Sequence, residues 1–372
     1  MKKRKYPVTP QDRMNYILGL YSANQQINAV LYFPIGISKK ILEQSVRITL
    51  QLQPVLNSHF VESDIPYWEE YSSSTNSPIC FFAEGNDQEL EMMAIDFIKE
   101  SGDLIQGPMV QTKLLQGTTT NMLVVKLSHL CSDGAGVKEY INLLGAIYTQ
   151  FSLGQSKDQI IKEFGTGNEG FRDQSLVFKY AGIPDVKSAY RPSQKQQAAL
   201  WSFPSQPNKN TYPKMSIRRL SHEQTLRLIQ WTKAQQATLN DAIITAYFRS
   251  LSHFTMYAEP RIAGMELLAN ITLSKVKEMY KQQYEQALQM EIALPLLTNF
   301  RSIADKPIKF GKVQTEDGYM TSPIMYRPFF TMVASSYNGR LTFTIGYHTP
   351  DTSKEKVERF LEIVVNQLSE LS

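Results

Sequence analysis

The sequence predicts a mixed α/β (α+β) fold in two halves, and three observations carry that prediction. Residues 121–151 read as strand, turn and helix in succession. The strand is the apolar run Met122 to Leu127, and the turn is His129-Leu130-Cys131-Ser132-Asp133-Gly134. Val137, Ile141, Leu144, Tyr148 and Phe151 then recur at helical spacing and mark one helix face. Strand-like and helix-like segments also alternate on both sides of a central stretch that lacks periodicity. Finally, 372 residues exceed one ordinary core, so two subdomains are expected.

Taken in order, Asn28 to Phe33 reads as a strand. Ser38 caps a helix carrying Leu42, Val46 and Leu50, closed by Pro54. Phe60 to Tyr71 is extended in character around Trp68, and Asp87 is expected to cap a helix through Leu90, Met93, Phe97 and Ile98. Met109 to Leu115 and Met122 to Ser128 form a hairpin across the Gly117 turn. From Ser152 to Pro213 periodicity is lost in a stretch rich in Gln, Ser, Lys, Gly and Pro, read as a crossover between halves. A strand follows from Lys214 to Leu220. Ser221 with Gln224 is a capping-box pattern before a helix with Leu226 and Ile229, and Thr238 opens a helix carrying Ile243, Ile244, Tyr247, Leu251 and Phe254. Leu273 to Met290 reads as a polar helix and Ile292 to Phe300 as a strand. Phe329 to Tyr337 and Leu341 to Tyr347 are strands joined by Asn338-Gly339, a strong hairpin signal. Thr352-Ser353-Lys354-Glu355 starts a last helix with Val357, Phe360, Leu361, Val364 and Leu368 on one face. The expected division is therefore 1–151, a linker at 152–213, and 214–372.

Composition narrows the function. Hydrophobic residues make up 42% and charged residues 20%, as in a globular domain. A net charge of +4 over this length is too mild to argue for nucleic acid. The basic start Lys2 to Lys5 leads into Tyr6-Pro7 and not into an apolar run, so no signal peptide is expected, and no stretch reaches the length of a membrane span. Two cysteines, Cys80 and Cys131, cannot form a disulfide framework, which suits a reducing cytoplasm. His129 and Cys131 lack a second ligand pair, so a metal site there is weakly motivated.

The turn has the pattern His-x-x-x-Asp-Gly, which resembles the motif of the superfamily of chloramphenicol acetyltransferase, plant-type alcohol acyltransferases, polyketide-associated acyltransferases and nonribosomal-peptide condensation domains. Further stretches resemble that superfamily in the same order: Tyr6-Pro7-Val8-Thr9-Pro10-Gln11-Asp12, Gln53-Pro54-Val55-Leu56, Thr238-Leu239-Asn240-Asp241-Ala242-Ile243, and Ser335 through Tyr347. The resemblance implies two chloramphenicol-acetyltransferase-like subdomains facing each other across a tunnel. It also implies an acyltransferase that moves an acyl group from coenzyme A or a carrier-protein phosphopantetheine thioester to a small hydroxyl or amine acceptor. The cysteine usage makes the cytoplasm the expected location, and a tunnel between paired subdomains needs one chain only, so a monomer is expected. No permanently bound cofactor or metal is expected.

Carried over residue by residue, His129 would be the general base, since imidazole titrates near neutral pH. Asp133 would hold the turn, paired with an arginine, and Gly134 would permit the tight strand-to-helix backbone. Arg261 and Arg301 are both candidates for that arginine. Oxyanion donors would come from a strand of the second half, with Thr298, Asn299 and Ser335 as candidates. Several departures stand out. Ser128 replaces the first histidine of assembly-line condensation domains, and the plant-type Asp-Phe-Gly-Trp-Gly motif is absent, Phe310-Gly311 being its nearest trace. The stretch between Phe254 and Lys275 is short, which leaves a non-catalytic binding protein on the same scaffold as the alternative. The plainer readings are a core histidine satisfied by backbone at His129, a simple helix cap at Asp133, and a small buried apolar residue at Cys131.

Overall fold

The computed structural model describes residues 4–71, 79–103, 105–165, 202–254, 272–289 and 291–371. Most of the expected linker, the short stretch after Phe254, and Arg261 lie outside the described residues. In chain order the first half holds β1 (Lys5–Pro7), α1 (Pro10–Tyr21), β2 (Gln26–Pro34), α2 (Lys39–Leu52), β3 (Ser58–Val61), β4 (Tyr67–Glu70), β5 (Cys80–Glu84), α3 (Leu90–Lys99), β6 (Val110–Gln116), β7 (Thr120–Ser128), α4 (Gly134–Ser152) and α5 (Lys157–Phe164). The second half holds β8 (Phe203–Pro204), β9 (Tyr212–Arg219), α6 (His222–Ala234), α7 (Leu239–Ser252), α8 (Leu273–Ala287), β10 (Ile292–Ser302), β11 (Lys309–Phe310), β12 (Val313–Gln314), β13 (Asp317–Thr321), β14 (Phe329–Tyr337), β15 (Arg340–Thr349) and α9 (Lys354–Glu370).

Two five-stranded mixed sheets organise the chain, in the orders β13-β2-β7-β6-β5 and β8-β10-β14-β15-β9. β7 is apolar without alternation because it is covered on both faces. Leu123, Val125 and Leu127 pack with Ile27, Ala29 and Leu31 under α2 and α4. Met122 and Val124 face the other way, onto Leu90, Ala94, Phe97 and Ile98 of α3 and onto Met215 and Ile217 of β9. The predicted face of α4 is the buried one at Val137, Ile141, Leu144 and Tyr148. Each such side chain contributes about 1.5–3 kcal/mol by leaving water. The face predicted for α9 is buried in full against the second sheet.

Packing does not follow chain order. β13 pairs antiparallel with β2, Met320 opposite Ala29, and so completes the first sheet. Leu273 and Val276 of α8 and Ile308 and Phe310 before β13 belong to the first core. The Ser22 hydroxyl lies 2.8 Å from the Tyr280 hydroxyl. The second half thus lends a strand and a helix to the first.

Two local expectations are corrected, and two helices lie where none was expected. Asp87 does not cap α3, whose N-cap is Glu89 without a side-chain bond. The Asp87 carboxylate instead accepts from Thr118, Thr119 and Thr120 across the β6–β7 turn. Those bonds, the Thr119 hydroxyl first, hold its pKa down to about 2. α6 buries Thr225, Leu228 and Thr232, while Leu226 is exposed. α1 and α5 were not anticipated, although Thr9 with Asp12 and Ser156 with Gln159 are capping boxes of the kind recognised at Ser221.

Candidate active site

β7 ends at Ser128, so the sheet delivers His129 to the turn that precedes α4. The turn is gripped from both sides. The His129 backbone N–H donates to the Gln25 carbonyl at 2.7 Å, and the His129 carbonyl accepts from Asn15 Nδ2 at 2.6 Å. Gln25 holds its carbonyl there by adopting φ +48°, a left-handed backbone rare outside glycine.

The ring is fixed as well. His129 Nδ1 lies 2.7 Å from the Ser132 carbonyl oxygen. A carbonyl only accepts, so Nδ1 carries the proton and the lone pair is on Nε2. No side chain among the described residues takes that lone pair. Burial lowers the His129 pKa below the ordinary 6.5, against the smaller opposing pulls of the Ser132 carbonyl and the Asp133 carboxylate. The half-buried imidazole is therefore neutral at pH 7, the state a general base requires.

Asp133 is the N-cap of α4, and its Oδ1 accepts from the Gly136 N–H at 2.8 Å. It is exposed and makes no ion pair among the described residues. Gly134 is needed for close approach. A Cβ there would lie 2.5 Å from Phe300 Cδ1 and closer still to Cε1. The start of α4 is thus seated against β10, and Lys138 Nζ reinforces the contact by donating to the carbonyls of Phe300 at 3.0 Å and Ser302 at 3.3 Å.

The remaining candidates separate. Arg301 is exposed at φ +58° and carries no ion pair to Asp133. Arg261 lies outside the described residues. Thr298 is exposed on β10. Asn299 donates through Nδ2 to Asn240 Oδ1 at 3.0 Å and accepts the Arg301 N–H at 2.8 Å. Ser335 is fully buried on β14, where its hydroxyl accepts from Met320 N at 3.0 Å and ties the second sheet to β13 of the first. Cys131 is half-buried with its Sγ 3.5 Å from the Ser128 carbonyl. Among the described residues, no three His, Cys, Asp or Glu side chains gather as metal ligands. Asn15 and Gln25 went unanticipated. The one available signal was a pair of amide side chains, at Gln25 and Gln26, just where an apolar strand begins.

No protein-family model matches the chain. No curated protein sequence matches it either. Solved structures do. The first condensation domain of the CDA synthetase is 13% identical and superposes with a TM-score of 0.65 over 99% of this chain and 96% of its own. Trichothecene 15-O-acetyltransferase from Fusarium sporotrichioides is also 13% identical, with a TM-score of 0.63 over the same shares. The epimerization domain of the third module of tyrocidine synthetase B is 14% identical, with a TM-score of 0.57 over 100% of this chain and 96% of its own.

Proposed function

We propose, from the two-lobed mixed α/β fold that the chain shares with solved condensation domains and a trichothecene acetyltransferase, that the protein is an acyltransferase, with His129 as general base and a coenzyme A or carrier-protein thioester as donor. In this reading Nε2 takes the proton of an acceptor hydroxyl or amine as its heteroatom attacks the thioester carbonyl. The tetrahedral intermediate then collapses, the C–S bond breaks, and the departing thiolate takes the proton back from Nε2. No metal and no covalent acyl-enzyme is required. Asp133 and Gly134 shape the turn, and the donor and acceptor approach His129 through the tunnel between the halves. The chain acts alone, in the cytoplasm.

The observation that carries the reading is the Nδ1 bond to the Ser132 carbonyl, which leaves a neutral imidazole with its lone pair on Nε2 at a strand end. A scaffold that binds without reacting is the second reading, favoured by an Asp133 that has no arginine among the described residues. Thiol release separates them. Acyl-CoA donors, and an acyl-loaded carrier protein, are offered with simple alcohols and amines to the wild type and to His129→Ala. Release that needs both acceptor and His129 is the expected result. Full transfer by His129→Ala would sink the mechanism. Carrier-protein binding with no turnover from any donor would favour the second reading.

A further inference from the structure

We propose that Asn15 is a positioning residue for the base, holding the turn that presents His129 Nδ1 to the Ser132 carbonyl while keeping the site around Nδ1 uncharged. The inference rests on the acyltransferase reading above. Asn15 lies within α1, in a helix interior where asparagine is a poor choice. It is nevertheless 3% exposed, and its side chain leaves α1 to reach a residue 114 positions away.

The geometry gives it one strong partner and one close neighbour. Nδ2 donates to the His129 carbonyl at 2.6 Å and stands 3.5 Å from His129 Nδ1. The longer approach cannot compete with the 2.7 Å bond from Nδ1 to the Ser132 carbonyl. The strong amide bond thus goes to the backbone carbonyl, and Nδ1 keeps its own proton. Asn15 holds the outgoing side of the turn just as the Gln25 carbonyl holds its incoming N–H. An asparagine at this place also brings no charge. Asp133 on the turn is the acidic group whose field reaches the ring, so burial dominates and the base stays unprotonated.

The test places a charge where none exists. Asn15→Asp is nearly isosteric and sets a carboxylate a few ångströms from Nδ1, which favours the imidazolium. The His129 ring is followed by NMR, with its signals among the five histidines assigned by their absence in His129→Ala. The titration midpoint is expected to rise by about one pH unit or more in Asn15→Asp. The acid limb of thiol release should move up with it. In Asn15→Leu the ring nitrogen shifts should change from a single Nδ1–H tautomer to a mixture. There kcat should fall about tenfold or more with KM changed less than about twofold, as expected for misplacing the base. An Nε2–H tautomer in the wild type would overturn the proposal. So would an unchanged midpoint in folded Asn15→Asp together with an unchanged tautomer in Asn15→Leu. The NMR readings need no turnover, so they decide this point even if the protein transfers no acyl group.

Discussion

Each half of the molecule runs a hairpin strand past a histidine and into its longest apolar-faced helix. In the first half β7 leads to His129 and α4; in the second β15 carries His348 and leads to α9. Both rings are half-buried, and burial lowers both pKa values below 6.5. The difference lies in what faces Nδ1. At His129 it is a carbonyl, which fixes the proton on Nδ1 and the lone pair on Nε2. At His348 it is the Thr211 hydroxyl at 3.1 Å, which can donate or accept and so fixes neither. The second turn is also spent on holding the chain: Asp351 takes the Asn208 N–H on its carboxylate and the Gln206 N–H on its carbonyl. In the proposed reading the same frame serves as a base holder in one half and as a strut in the other, and the two differ in the acceptor at Nδ1.

Deleting each ring should give the largest contrast. His129→Ala is expected to lower kcat for acyl transfer by about 10²–10⁴-fold, the usual worth of a positioned general base. His348→Ala should leave kcat within about twofold to threefold, because the proposed mechanism gives that ring no proton to move. Steady-state thiol release, with melting curves to show that both variants are folded, checks the pair. Comparable losses at the two histidines would erase the distinction.

The residue after each N-cap offers a second contrast. Gly134 faces the Phe300 ring, whereas its counterpart Lys354 is exposed. Gly134→Val forces the ring or β10 to move and should cost about 1–3 kcal/mol, an overpacking penalty. Lys354→Ala should be neutral within about 0.5 kcal/mol. Urea denaturation midpoints at unchanged slope measure both.

Much of this frame was legible from local pattern. Strand runs, the apolar faces of α4 and α9, and the caps at Ser38, Ser221, Thr238 and Ser353 are all written within a few residues of where they act. Asn338-Gly339 adopts positive φ at both positions, as the two-residue turn demands. What could not be read is set by distant partners. Asp87 looked like a cap because its true acceptor role lies more than thirty residues away, at the β6–β7 turn. β13 joins a strand from near the start of the chain, and nothing in its own five residues says so. The motif singled out His129 as the candidate, but the tautomer rests on the Ser132 carbonyl, and the grip of Asn15 rests on tertiary contact alone.

Acid pH should separate stability from activity. A histidine whose folded pKa is depressed binds its proton more readily in the unfolded chain, so folding loses stability as pH falls from 6.5 toward the folded value. Both His129 and His348 have that sign, and replacing either by alanine should flatten the loss in urea titrations over that window. Only His129 should set the acid limb of kcat/KM, which is expected to rise with pH below 6.5 and level off above it. An acid limb that follows His348→Ala would assign the wrong ring.

The smallest expected effect concerns the two caps themselves, and it asks whether Asp133 acts by shape or by charge. Asp133 caps α4 through Gly136 N, and Ser353 caps α9 through Lys356 N. Replacing either by alanine should cost about 0.5–2 kcal/mol of stability. Asp133→Asn keeps an oxygen for the Gly136 N–H and removes only the charge. If capping is the whole role, this variant should melt within about a degree or two of wild type and keep its kcat. The negative field of Asp133 opposes burial at His129, so removing it should lower the histidine pKa and carry the acid limb slightly downward. A large loss of kcat in Asp133→Asn, with the melting point intact, would instead call for a cationic partner at Asp133 beyond the described residues. The shared frame would then differ at its aspartate as well as at Nδ1.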